Sequence, residues 1–336
     1  MSSNESGEVL LQDVRTRLVR ASEPVTGRIV ENDLCMNGKS ASFVRHTVID
    51  VAGTPLEGAF RAGQSFGVIP PGVDESGRPH KVRLYSLACP GWGEDGHGRV
   101  ISTTTKRLVD EFSAEKSGKS RKTDEASRAH QLFLGVCSNY LCDLGPGDEV
   151  QVCGPNGKRF QLPRDPFRFD YLFLATGTGI APFRGMLMEL LDAPPGAEAR
   201  PCGSRIHLLM GAPYRTDLLY HDFFEALADR HPNFHYHTAI SREKRPDGRA
   251  GLYVHERLEE DLDTFRPLLA SPRTLIYVCG LQGMQNGLIR MLARHGLAGG
   301  YFDLKKELAQ TSPDDWPEAQ IGRNARPTAR CLLEVY

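Results

Sequence analysis

The sequence predicts two domains of different texture, an antiparallel β-barrel or sandwich followed by an α/β domain built on a parallel sheet. A length of 336 residues suggests about two domains. Up to Pro163, short β-branched or apolar runs are broken by Gly and Pro; beyond it, strand-like runs alternate with helix-like ones. The boundaries fall as a flexible amino-terminal tail over 1–24, a β domain over 25–163 and an α/β domain over 164–336, with 164–170 as the hinge.

The tail is polar and carries Glu5, Glu8 and Asp13, so it has neither the apolar stretch of a secretory signal nor the acid-poor character of a transit peptide. In the β domain, strands are expected over 27–30, 42–51, 65–69, 132–134 and 148–153. Residues 80–88 alternate in the same way, placing Arg83 and Tyr85 on one face and Leu84 and Ser86 on the other. A short helical turn closed by a Gly–Pro stop is expected over 142–147, and the polar stretch 113–130 reads as a solvated loop. In the α/β domain, strands over 171–175, 206–210, 234–240 and 274–278 alternate with helices over 182–191, 218–228, 254–262 and 283–295.

Composition narrows the function. With 41 basic against 42 acidic residues the formal charge is −1, which argues against nucleic acid as the main partner. No apolar run approaches the roughly 18 residues that span a bilayer, so membrane insertion is not expected. The eight cysteines are too sparse and irregular for a disulfide framework, and a reducing, cytoplasmic location follows. Cys137 and Cys142 have the spacing that opens an iron–sulfur set, but Gly145 stands where the third ligand belongs, so no metal site is expected.

The residues that carry chemistry are few. Gly-Thr-Gly-Ile-Ala-Pro-Phe-Arg at 177–184 follows a strand and opens a helix, so its backbone N–H groups are aimed at an anion, naturally a pyrophosphate. Pro182 replaces the third glycine of the usual Rossmann fingerprint, and the turn alone is as compatible with a purely structural role. Ser241 and Arg242 at the end of a strand can hold a phosphate monoester; taken alone, the same residues make a charged surface turn.

In their order along the chain, these segments resemble the plant-type ferredoxin–NADP(+) reductase family, from about Gly63 to Tyr336. The matching stretches lie at 63–70, at 83–86 (Arg-Leu-Tyr-Ser), at 135–144 (Gly-Val-Cys-Ser-Asn-Tyr-Leu-Cys-Asp-Leu), at 177–184, at 279–284 (Cys-Gly-Leu-Gln-Gly-Met) and at 334–336 (Glu-Val-Tyr). The resemblance implies that the first domain is an FAD-binding antiparallel β-barrel and the second a Rossmann-like NADP domain. It gives Arg83, Leu84, Tyr85 and Ser86 to the flavin strand: Arg83 pairs with the FAD pyrophosphate, Tyr85 covers one ring face and Ser86 bonds near N5. Cys137 and Ser138 match the turn that cradles the FAD phosphates. Tyr336 matches the terminal aromatic stacked on the other flavin face, where nicotinamide must lie. Cys279 and Glu334 match the pocket beside them, the thiol aiding alignment and the carboxylate aiding proton movement. Toward NADP(H), the resemblance implies contacts from Thr178, Ser241, Arg242, Tyr253, Gly280 and Leu281, with Lys106 reaching across from the FAD domain.

Departures from the family pattern are also visible. Asp110 stands where plant members stack a tyrosine on the FAD adenine, with Phe112 as a candidate replacement. Gly251 and His255 replace a lysine and a glutamine near the 2′-phosphate, where Lys244 and Arg249 are candidate substitutes. The implied activity is electron transfer between NADPH and a separate one-electron carrier, ferredoxin or flavodoxin, docking on a basic patch drawn from Lys81, Lys106, Arg107, Lys305 and Lys306. The alternatives are the reductase component of an oxygenase and a non-catalytic flavin-binding redox sensor.

Overall fold

Short apolar runs in the first half form the strands β1 (Val25–Leu34), β2 (Val44–Asp50), β3 (Ser65–Ile69), β4 (Arg83–Ser86), β5 (Val100–Lys106) and, after a ribbon of β6 (Val109–Glu111) with β7 (Leu132–Leu134) and helix α1 (Val136–Asp143), β8 (Glu149–Asn156). The computed structural model describes residues 8–36, 40, 42–111 and 132–336. Six strands pair antiparallel in the order β4-β3-β8-β1-β2-β5. A bridge between Leu87 and Thr103 joins the two edges, so the sheet closes into a barrel and leaves no long edge unpaired. Ile29, Ile49, Phe66, Val68, Leu87 and Val152 fill it.

The second half alternates β9 (Asp170–Thr176), a tight turn at Gly177–Ile180, α2 (Ala181–Leu191), β10 (Ile206–Ala212), α3 (His221–Arg230), β11 (Phe234–Ile240), α4 (Val254–Glu260), α5 (Leu262–Ala270), β12 (Thr274–Gly280) and α6 (Gln282–Arg294). The hairpin strands β13 (Phe302–Leu304) and β14 (Ala325–Pro327) enclose the short helices α7 (Lys306–Ala309) and α8 (Glu318–Asn324). The chain then enters β15 (Cys331–Val335), completing a parallel five-stranded sheet in the order β11-β10-β9-β12-β15. Helices cover both faces, which is why β12 is buried along its whole length. One face packs Phe173 and Tyr277 on Phe183, Leu187 and Phe224; the other packs Leu174 and Ile276 on Leu258, Phe265 and Leu288. Val44, Ala62, Phe160 and Leu162 join the first of these clusters, so the two halves share one apolar seam.

Several expectations are corrected. The helix lies at Val136–Asp143, and 144–147 is only the turn that ends it, because Leu141 and Cys142 are anchored in the barrel. Residues 10–19 are tied down rather than loose: Leu11 bridges Pro163, Val19 bridges Gly154, and the Arg17 N–H donates to the Pro155 carbonyl at 2.8 Å. The helix expected over 254–262 is two helices that meet at Asp261. Strands β5 and β15 were not anticipated. Ser102, Thr103, Thr104 and Thr105 of β5 are polar yet buried, and hydroxyl bonds to the carbonyl of Ser86, to Glu94 and to Tyr220 compensate most of that cost. Residues 1–7, Phe112 and the 113–130 stretch lie outside the described residues.

Candidate functional site

The first cradle is a groove of about 410 Å³ on the barrel, lined by β4, the end of β5 and the start of α1. Arg83, Leu84, Tyr85, Lys106, Cys137 and Ser138 all face it, with His80 and Lys81 at its rim. The expected alternation relaxes here, since β4 has only β3 as a ladder partner and Leu84, 57% exposed, lines the same groove as its neighbours. Arg83 donates to the Val82 carbonyl at 3.3 Å, and no carboxylate pairs with it among the described residues. Helix α1 starts at Gly135 without a side-chain cap, leaving its first amides open. A Cβ at Gly135 would come within 2.7 Å of the Ser138 Oγ, so glycine lets the turn close under the groove. An unpaired guanidinium, an uncapped helix start and an exposed apolar side chain fit the FAD that the resemblance implies: phosphates at one end, a flat ring at the other. Burial, followed by contact with Cys137, pushes the Tyr85 phenol well above its ordinary range, so the ring stays neutral. Ser86 lies at the end of β4, its carbonyl held at 2.7 Å by the Thr103 hydroxyl.

A second cradle forms where β9, β12 and β15 end together. The Gly177–Ile180 turn is pressed against β12: a Cβ at Gly179 would lie 2.2 Å from the Cys279 carbonyl oxygen. Gly280 has φ +136°, which allows its amide to sit against Thr176, whose hydroxyl accepts the Leu281 N–H at 2.9 Å. Cys279 and Glu334 are register partners across β12 and β15. Tyr336 is anchored by its N–H to the Gly280 carbonyl at 3.0 Å, and its hydroxyl lies 2.9 Å from the Thr178 Oγ1, while the residue as a whole is 64% exposed. Burial raises Glu334 to about 7, and its buried Oε2 has no hydrogen-bond partner among the described residues. Burial, then the nearby Glu334, pushes the Cys279 thiol far above its usual range, so it stays protonated.

The third group lies at the end of β11. The Ser241 and Arg242 amides donate to Ala212 and Pro213, and the Leu252 amide returns to Ile240, bringing Tyr253 alongside. Tyr253 is 62% exposed and lies parallel to His255, ring centroids 6.0 Å apart. Arg242 and Lys244 carry no ion pair among the described residues, whereas Arg249 is paired with Asp247 and Glu260 at the surface.

The structure thus gathers the predicted residues into three groups. Lys106, expected to reach the cofactor from the FAD domain, lines the barrel groove at the end of β5. β5 packs on the Gly177–Ile180 turn and also holds Ser86, which brings the first two cradles to one strand. Of the expected basic patch, Lys81 and Lys106 flank the groove, Arg107 is engaged by Asp143 and Asn139, and Lys305 donates to Asn324. Sequence reasoning missed Glu94, His46 and Tyr220, which pack between the halves around Arg184; they are scattered along the chain and no spacing signals them.

A closed barrel beside a parallel sheet with a glycine turn at its carboxyl end is an architecture that presents a dinucleotide site at the strand ends, a class that likeness to known proteins narrows to oxidoreductases. A family model described as "Oxidoreductase NAD-binding domain" matches residues 173–289. The leaf isozyme 1 chloroplastic ferredoxin–NADP reductase of Arabidopsis thaliana is 34% identical over 297 residues, 87% of this chain and 76% of that protein. The ferredoxin–NADP reductase of a Spirulina species is 33% identical over 325 residues, 96% of this chain and 99% of that one. Among solved structures, the Plasmodium falciparum ferredoxin–NADP+ reductase with 2′P-AMP superposes with a TM-score of 0.66 at 20% identity, covering 95% of this chain and 99% of that chain, a likeness of fold. The chain belongs to the ferredoxin–NADP reductase family. No helix among the described residues is long and apolar enough to cross a membrane.

Proposed function

We propose that this protein exchanges electrons between NADPH and a separate one-electron carrier, ferredoxin first, through FAD seated in the barrel groove. The observation that carries the reading is the meeting of two cradles on β5, one suited to a flavin dinucleotide and one to a nicotinamide dinucleotide. The bound flavin would supply the switch between hydride and single-electron chemistry.

The chain's own residues bind, orient and move protons. Arg83 and the open amides of α1 neutralise the flavin's phosphates, and Ser138 lends its hydroxyl. Tyr85 covers one ring face, with Leu84 beside it; Ser86 presents its hydroxyl toward the reactive edge. Tyr336 occupies the place of the nicotinamide and must swing aside, which keeps cofactor binding from becoming too tight for turnover. Thr178, Gly280 and Leu281 receive the pyrophosphate and nicotinamide ends, while Lys106 meets the cofactor from the barrel. Arg242 and Ser241 hold the 2′-phosphate and Tyr253 stacks on the adenine. Glu334, close to half-protonated near neutrality, holds a proton beside Cys279, whose neutral thiol packs against the nicotinamide.

On this reading the chain divides into a flavin half at 25–163 and a nicotinamide half at 164–336. Its eight thiols, all unbridged, suit the cytoplasm. The test is anaerobic: purified protein should be yellow, be bleached by NADPH faster than by NADH, and be reoxidised by ferredoxin. Reoxidation only by flavodoxin or only by an oxygenase component would move the partner, and a flavin that NADPH leaves oxidised would defeat the reading in favour of a redox sensor.

A further inference from the structure

Between the two halves lies a largely buried polar network outside all three cradles. Arg184, in the first turns of α2, donates to both oxygens of Glu94 at 2.5 and 3.1 Å and to the Ala88 carbonyl at 2.9 Å. Its side chain is 13% exposed and that of Glu94 18%. The Ser102 hydroxyl also donates to Glu94, at 2.5 Å. Across the seam, the Tyr220 hydroxyl lies 2.5 Å from the Thr104 Oγ1 and 2.9 Å from the Nδ1 of His46, and the Arg184 guanidinium lies 5.6 Å from the Tyr220 ring centroid. Tyr220 is one of two non-glycine residues with positive φ among those described, at +55°. Backbone held in that region persists where surrounding contacts over-determine it.

The position of this network gives it a task. Ala88 follows the flavin strand by two residues, and its N–H donates to Ser102 at 2.8 Å. Arg184 follows the glycine turn by four. At Gly185 the helix comes so close to the barrel that a Cβ would lie 2.3 Å from the Cys89 carbonyl oxygen. The network therefore clamps the end of the segment that carries Ser86 to the helix that starts at the nicotinamide cradle.

We infer that Tyr220, Glu94 and Arg184 are positioning residues for hydride transfer, fixing the separation of the flavin and nicotinamide cradles from outside both. The inference rests on the proposed reductase reading and adds the part of the fold that sets its donor–acceptor distance. Reacting atoms must be held to within a fraction of an ångström, so a clamp that relaxes slightly should slow the hydride step while leaving distant binding intact.

Tyr220→Phe, which keeps the ring and removes its hydroxyl, is the primary test, with Glu94→Gln as the second variant. Flavin reduction at saturating NADPH should fall roughly tenfold or more in both. The deuterium isotope effect with NADPH labelled at nicotinamide C4 should rise, while the affinity for 2′-phospho-AMP, which reaches only the adenosine end, stays within about twofold. A readout independent of turnover is amide hydrogen exchange: peptides covering 86–89 and 102–105 should exchange about tenfold faster in Tyr220→Phe. Unchanged reduction rates, a parallel loss of 2′-phospho-AMP affinity, or unchanged exchange at 86–89 would each overturn the clamp. If Glu94→Gln does not fold, Tyr220→Phe decides alone. Failure of the reductase reading would be distinct, since the wild-type flavin would then stay oxidised with NADPH.

Discussion

Tyr336 and Glu334 lie two residues apart, but different forces hold them. The ring of Tyr336 is kept in place by one hydroxyl contact to Thr178 and by backbone bonding to Gly280, so it is well placed yet cheap to displace. On the proposed reading, in which Tyr336 competes for the nicotinamide's space, Tyr336→Ser should tighten nicotinamide binding by about tenfold and erode the preference for NADPH over NADH; coenzyme difference spectra measure this. On the same proposed reading Arg242 makes a charge-assisted phosphate contact worth about 1.5–3 kcal/mol, so with Arg242→Leu NADPH should bind about 10- to 100-fold more weakly while NADH is little affected. Steady-state KM values for the two coenzymes check it.

Glu334 carries a pH signature. Burial lifts its folded-state value to about 7, above the ordinary 4.5 of the unfolded chain. The folded state thus binds the extra proton, and stability falls as pH rises from about 4.5 through 7. Glu334→Gln should abolish this decline, gaining on the order of 1–3 kcal/mol over wild type at pH 8 and little at pH 4, as read by denaturant unfolding at both.

At the scale of elements, the Gly177–Ile180 turn tolerates no side chain at its third residue. Gly179→Ala would drive a methyl into the Cys279 carbonyl, backbone rather than a flexible tip, and should cost about 1–3 kcal/mol. NADPH binding should weaken more than FAD retention in the same variant, since the turn belongs to the nicotinamide cradle; titration of each separates the two. This turn was legible in the sequence because local chemistry specifies it: a buried strand, two glycines and a proline at the helix start. Most strands and helices of the parallel sheet were legible for the same reason, their apolar periodicity being continuous. β5 was not, since four consecutive hydroxyl residues carry no apolar alternation and their partners Ser86, Glu94 and Tyr220 lie elsewhere in the chain. β15 escaped because five residues at a sheet edge carry too short a pattern, and what makes them a strand is the neighbouring β12. The three cradles were read mainly through resemblance: unaided, Arg-Leu-Tyr-Ser is an ordinary strand, and nothing local reveals that it borders a groove.

At the scale of the whole molecule, the halves are joined by more than the chain that links them. Glu189 on α2 accepts the Gly91 N–H at 2.7 Å and the Ala62 N–H at 3.3 Å, both from the barrel half, and its burial raises its pKa despite those bonds. Glu189→Leu leaves two amides without acceptors and should destabilise by about 2–4 kcal/mol, measurable as a lowered denaturant midpoint. Comparing its loss with that of Tyr220→Phe separates support for folding from control of geometry, because Glu189 touches the barrel well along α2 whereas Arg184 touches it at the first turns.

The lacing of residues 10–19 onto 154–164 gives this seam a further meaning for anyone wishing to recombine such proteins. A graft that exchanged only 164–336 for the equivalent piece of a relative would keep Val44, Ala62, Phe160 and Leu162, with Val9 and Leu11 of the opening segment beside them, facing a foreign oily surface, although the bonds of that segment to 154–163 would stay intact. Functional chimeras should therefore arise where those contacts migrate as a set, and insoluble ones where the crossover respects the linear order of the chain alone.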